Sequence, residues 1–97
     1  MKIRWTSQAA GDLARLHQHL GSVAHTAAAR VVQQLVDAPE RLLDHPWIGE
    51  KLEAYEPREV RRIIVGDYEV RYEIAAEVIF VLRIWHCRED RSFDSKS

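Results

Sequence analysis

Residues 60–86 read VRRIIVGDYEVRYEIAAEVIFVLRIWH, and the periodicity of this stretch decides the fold. Tyr68, Val70, Tyr72 and Ile74 alternate with Glu69, Arg71 and Glu73, the period of two that a half-buried strand requires. Ahead of it, Val60 to Val65 is rich in β-branched residues, and Gly66-Asp67 is a turn signal. Ala75, Ala76 and Glu77 make a second turn. Val78 to Trp85 is then almost continuously apolar, broken only by Arg83, as a central strand covered on much of both faces would read. Three successive strands joined by short turns predict an antiparallel meander.

Working outward, the meander is preceded by helices. Ala9, Leu13, Leu16 and Leu20 recur at spacings of four, three and four, one apolar stripe on a helix. Thr6 or Ser7 offers its N-cap, and Gly21 its left-handed C-terminal residue. Ser22 can cap a second helix, whose stripe runs through Ala28, Val31, Val32, Leu35 and Val36. Pro39 should kink this helix or start a new turn, and His45-Pro46 stops the run after Leu42 and Leu43. Lys2 to Trp5 alternates charged and apolar residues and reads as a short strand, whereas Trp47 to Arg58 reads as loop. The predicted order is β-α-α-β-β-β, an α+β domain with a helical hairpin covering one face of an antiparallel sheet. Ninety-seven residues form one domain, 1–97, with the polar tail at 92–97 expected to fray.

Composition narrows the function. Fourteen Lys and Arg against fifteen Asp and Glu give a net charge of −1, whereas a protein living on phosphate contacts would be basic. Even from Arg58 to Arg91, seven arginines are matched by seven acids, so a protein target fits better than nucleic acid. The start MKIRWTSQ lacks the apolar stretch of an export signal, and no apolar run approaches a membrane span, so a cytoplasmic protein without membrane contact is expected. A single cysteine, Cys87, excludes an internal disulfide framework and a multi-cysteine zinc site. His17 and His19, two apart on a helix, point to different faces and are poor co-ligands, so neither metal nor cofactor is expected.

The arginines carry the functional signal. Arg71 lies on the solvent parity of its strand, and Arg83 shares a parity with Ile79, Val81 and Trp85. Arg61 and Arg62 are adjacent, so one of them points to each face. These positions can converge on the sheet face away from the helices, either as a salt-bridged surface with Glu59, Glu69 and Glu73 or as a recognition surface anchored by Trp85. His86, at the strand end beside Arg88 and Arg91, is placed for acid–base work at a phosphodiester, but no second proton-transfer group is evident.

The ordered set Ile3-Arg4-Trp5-Thr6, Ala9, Asp12-Leu13, His45-Pro46, Gly49, Val60-Arg61-Arg62, Gly66-Asp67-Tyr68, Val70-Arg71-Tyr72-Glu73, Leu82-Arg83-Ile84-Trp85-His86, Arg88, Asp90 and Arg91 resembles the RelE/ParE superfamily of toxins from bacterial type II toxin–antitoxin modules. It looks closest to the ParE branch. The resemblance implies a toxin held inert by a cognate antitoxin, whose flexible segment folds onto the toxin. ParE-like members are associated with inhibition of DNA gyrase and with plasmid stabilisation; RelE-like members cut mRNA on the ribosome. The sheet strands after Arg58 carry no lysine, the last tyrosine is Tyr72, and Phe93 in the tail has no hydroxyl, which favours the gyrase branch. Arg62, Arg71, Arg83, Trp85, His86, Arg88 and Arg91 are then the target-binding candidates; for a nuclease, the catalytic set would be His86, Arg62, Arg83 and Arg88. A non-toxic, antitoxin-binding regulatory partner would share the same fold.

Overall fold

The structure is a computed structural model that describes residues 1–21 and 25–88. In chain order it holds β1 (Lys2–Trp5), α1 (Ser7–Gly21), α2 (His25–Arg41), β2 (Glu50–Lys51), a 3-10 turn (Glu53–Tyr55), β3 (Glu59–Val65), β4 (Tyr68–Ala75) and β5 (Val78–His86). The predicted cap of α2 at Ser22 and the predicted frayed tail lie outside the described residues. Thr6 is the cap of α1: its hydroxyl accepts the Ala9 amide at 3.1 Å, and its carbonyl accepts the Ala10 amide at 2.9 Å. α2 continues through Pro39 to Arg41, and Leu42 then closes the turn by donating to the Pro39 carbonyl.

The strands lie in the order β1-β5-β4-β3-β2. The meander β3-β4-β5 is antiparallel as expected, but β1 pairs with β5 in parallel, Lys2 to Trp5 against Val78 to Val81, so the sheet is mixed. The chain leaves β1 through two helices before it returns to the sheet, and such a crossover permits parallel pairing where a tight turn does not. Pairing with β1 on one side and β4 on the other makes the start of β5 interior, which accounts for its apolar run. The stretch expected as loop instead adds β2 along the outer edge of β3, Glu50 opposite Arg62 and Lys51 opposite Arg61.

Helices cover one face only. Ala9 of α1 and Leu35 and Ala38 of α2 pack on Val65, Val70, Val81 and Ile84, and Leu42 packs with Tyr72 and Ile79. One expectation needs correction here. The register shifts between Arg71 and Tyr72, which pair with Arg83 and Val81, so Leu82 is an extra residue in β5. This bulge reverses the parity. Ile79 and Val81 point into the helix-side core, while Arg83 and Trp85 point to the opposite face, and only the latter pair joins Arg71 there.

Candidate functional site

Arg62, Arg71 and Arg83 occupy directly opposed positions on β3, β4 and β5, one row of three guanidiniums across the helix-free face. Cross-strand neighbours sit about 5 Å apart. Unshielded, each adjacent pair at that spacing would repel by roughly 3 kcal/mol at an effective dielectric constant near 20. Carboxylates and aromatic rings offset this repulsion.

Glu69, one row along on β4, is 1% exposed and bridges two of the three. Its Oε2 accepts Arg71 Nη2 at 2.6 Å and its Oε1 accepts Arg62 Nη1 at 3.2 Å. Glu50 of β2 takes the other side of Arg62, accepting Nε at 2.8 Å, and these contacts hold the Arg62 guanidinium above its usual pKa, the Glu50 hydrogen bond most strongly. Arg83 is met from the helical layer. Asp12 of α1 accepts Arg83 Nε at 2.8 Å and Nη2 at 3.2 Å, the Ile84 amide at 2.9 Å, and Arg15 Nη2 at 2.8 Å. β1 ends at Trp5, leaving the later part of β5 with an unpaired edge, and Asp12 caps it. Burial raises the Asp12 pKa, but the bonds from Arg83, Ile84 and Arg15 outweigh it and hold the carboxyl below the usual range.

Aromatic rings interleave the cations. Trp85 lies between Arg83 and Arg71, with their Cζ atoms 5.2 and 4.9 Å from its ring centroid; Tyr55 lies between Arg71 and Arg58 at 5.7 and 5.8 Å. Arg71 Nη1 also donates to the Tyr55 hydroxyl at 3.0 Å, and Arg58 pairs with Glu73 at 2.7 Å. The result is a stack Arg83–Trp85–Arg71–Tyr55–Arg58 laid across the sheet. Trp85, expected as an exposed anchor, is therefore 3% exposed, and Arg71 is 6% exposed. Both are part of the packing, with the Arg71 and Arg83 guanidiniums against the indole ring.

His86 stands elsewhere. It follows the bulge on the helix-side parity, edge-on to Tyr68 with ring centroids 5.2 Å apart, and its Nδ1 accepts the Arg88 amide at 3.0 Å. It lines an open groove of about 720 Å³ between α1 and the end of β5, with Leu16, His19, Tyr68, Ile84 and Arg88. The sheet thus separates His86 from Arg62 and Arg71, and the set His86, Arg62, Arg83 and Arg88 does not converge on one point. Arg91 lies outside the described residues.

Sequence reasoning missed Asp12, Glu50 and Tyr55 as partners of this face. Asp12 alone carried a signal: it falls three after Ala9 and four before Leu16, an acid inside an apolar stripe. Glu50 and Tyr55 came from a stretch read as loop, where no periodicity assigns a side chain to a face.

Residues 3–91 match the family described as ParE toxin of type II toxin-antitoxin system, parDE. A protein named Toxin RelE2 from Caulobacter vibrioides is 29% identical over 85 residues, which cover 88% of this chain and 93% of that one. A solved structure described as the chromosomal ParDE TA system from P. aeruginosa aligns with a TM-score of 0.75 over 89% of this chain and 95% of its own, at 24% identity, and shares the fold.

Proposed function

Since the chain belongs to the ParE toxin family of type II toxin–antitoxin systems, we propose that it inhibits DNA gyrase by direct protein–protein contact, with no chemistry of its own, and that a cognate antitoxin neutralises it. One observation carries the choice of target. Two of the three arginines of the nuclease set are already bound to carboxylates, Arg62 to Glu50 and Glu69 and Arg83 to Asp12, and so is Arg71 between them, to Glu69. An RNA phosphate would have to displace the buried Glu69 carboxylate to reach Arg71, leaving that charge desolvated and unpaired, and at the partly exposed Arg62 and Arg83 it would compete with carboxylates already bound. Proton transfer is poorly served as well, since burial raises the pKa of both Tyr68 and Tyr72, and the Tyr72 hydroxyl is engaged with Pro46 and Gly49. Target contact then falls to the accessible members of the predicted set, Arg62, Arg83, His86 and Arg88.

The α1–β5 groove suits the antitoxin. Leu16, Leu20 and Tyr68 supply apolar area, and Arg15 and Arg88 line the same groove. A disordered segment that folds on binding can bury such a surface. A second reading, ribosome-dependent mRNA cleavage, draws on this same groove, where His86 stands beside Arg88 and its Nδ1 accepts the Arg88 amide.

Expression without the antitoxin, with thymidine and amino-acid incorporation followed together, separates the readings. The gyrase reading expects DNA synthesis to fall first, with protein synthesis following later. An immediate collapse of protein synthesis favours mRNA cleavage. Normal growth points to the regulatory partner.

A further inference from the structure

The segment after α2 displays an apolar pair that nothing in the described chain covers. Trp47 is 56% exposed and Ile48 70% exposed. Such exposure in a slack loop would carry little meaning, but this loop is held at every residue around the pair. The buried Tyr72 hydroxyl donates to the Pro46 carbonyl at 2.8 Å and accepts the Gly49 amide at 3.0 Å. Arg61 Nη1 donates to the Trp47 carbonyl at 2.9 Å and to the Gly49 carbonyl at 2.7 Å, and its guanidinium lies 5.4 Å from the Trp47 ring centroid. The Ile48 amide closes a turn onto the His45 carbonyl at 3.2 Å. Gly49 has no room for a side chain: a Cβ there would meet the Tyr72 hydroxyl at 2.5 Å and the Arg62 carbonyl at 2.7 Å. Two side chains from the sheet therefore fix the backbone so that both apolar groups face solvent, beside an apolar hollow of about 380 Å³ bordered by Asp44, His45 and Pro46.

Preorganisation of this kind removes the ordering cost that a flexible contact meets on binding. Tryptophan is also the residue most enriched at the energetic centres of protein interfaces. The surroundings indicate the chemistry of the partner. From Asp37 to Glu59 the chain carries seven Asp and Glu against three Lys and Arg, a net charge of −4 in a protein whose total is −1. Arg62 and Arg61 of β3 neutralise Glu50 and Glu59, and Lys51 lies near Glu56. Asp44 borders the hollow beside the pair, and Glu40 stands four residues before it in the chain.

We propose that Trp47 and Ile48 are the anchor of the target-binding surface, seating in an apolar pocket bordered by basic side chains on the target protein. The proposal rests on the gyrase reading and adds to it where the toxin makes its principal contact. The net acidic stretch that carries the pair, with Asp44 beside it, repels nucleic acid and is complementary to the basic protein surfaces that handle it. The loop follows directly into β2, which pairs with Arg61 and Arg62, so the anchor is continuous with the sheet edge that carries Arg62. It lies at the opposite side of the sheet from the α1–β5 groove, with the order β5-β4-β3-β2 between them. The two contacts can therefore be measured apart.

Binding of purified gyrase holoenzyme to immobilised toxin tests this, alongside the supercoiling assay and a parallel titration with the antitoxin. The variant carrying Trp47→Ser and Ile48→Ser is expected to unfold at the wild-type temperature to within a few degrees and to bind antitoxin as the wild type does. Its affinity for gyrase is expected to fall roughly 30-fold or more. Asp44→Lys with Glu40→Lys is expected to slow association several-fold at low salt and less at high salt. Wild-type inhibition fully retained by the double serine variant overturns this proposal alone. Loss of antitoxin binding instead, or a change only in self-association, overturns it in favour of those occupants. Wild-type protein that leaves gyrase untouched overturns the gyrase reading and the anchor with it.

Discussion

Glu69→Ala is expected to remove about 3–5 kcal/mol of folding stability, the usual cost of leaving a buried charge without its partner. Arg71 supplies that charge: it is 6% exposed, and Glu69 Oε2 lies 2.6 Å from its Nη2. Arg62 suffers less, because it is partly exposed and keeps Glu50. Against a total of about 5–15 kcal/mol for a small domain, such a loss leaves little margin. Urea titration should show the midpoint falling by about a fifth or more of its wild-type value. The companion variant Glu69→Leu with Arg71→Met removes both charges and keeps apolar volume, and should regain much of the loss, since a hydrophobic replacement of a buried pair is often neutral or better. A double variant as unstable as Glu69→Ala would mean that packing around Trp85, not the unpaired charge, sets the cost.

Asp12→Ala should produce the next largest effect, about 2–3 kcal/mol, since it deletes charge-assisted bonds and leaves the Ile84 amide with no acceptor. Arg83 is partly exposed and can turn to water, so the cost stays below that of Glu69→Ala. In a domain of this length the melting temperature should drop by roughly 8–24 °C. The pH dependence has a definite sign. The folded pKa of Asp12 lies below its unfolded value of about 3.8, so its contribution is complete above that value and is lost as pH falls through the lower folded pKa. Melting curves from pH 7 down to pH 2 should converge for wild type and Asp12→Ala at the acid end. A gap that stays constant to pH 2 would show that the carboxylate charge is not what α1 contributes to β5.

Much of this fold can be read from the alternation in Tyr68–Ile74, the turn at Gly66-Asp67 and the two apolar stripes, because each element there contrasts buried and exposed positions. The bulge at Leu82 could not be read. In VIFVLRIW nearly every residue is apolar, so an extra residue leaves no break in the pattern, and the parity of Arg83 and Trp85 came out right while that of Ile79 and Val81 did not. The partner of β1 was equally hidden, since four residues carry no mark of which strand they join. For the site, the arginine row and its glutamates were legible as mixed charge on one face, but the burial of Trp85 was not. That depends on Tyr55, Arg71 and Arg83 arriving from three separate segments. The apolar pair at Trp47-Ile48 was passed over because its constraint comes from Arg61 and Tyr72, residues whose reach into a loop no periodicity reports.

The sheet arginines are held by carboxylates, and we propose on that ground that the toxin acts on a protein. Purified, antitoxin-free toxin added to gyrase and relaxed plasmid tests it most directly, with supercoiling and cleaved DNA followed together. Supercoiling is expected to be lost and cleaved DNA to accumulate, and adding the antitoxin is expected to reverse the loss. Gyrase that supercoils normally, while the same preparation cuts mRNA on programmed ribosomes, would contradict the proposal and transfer the site to His86 and Arg88.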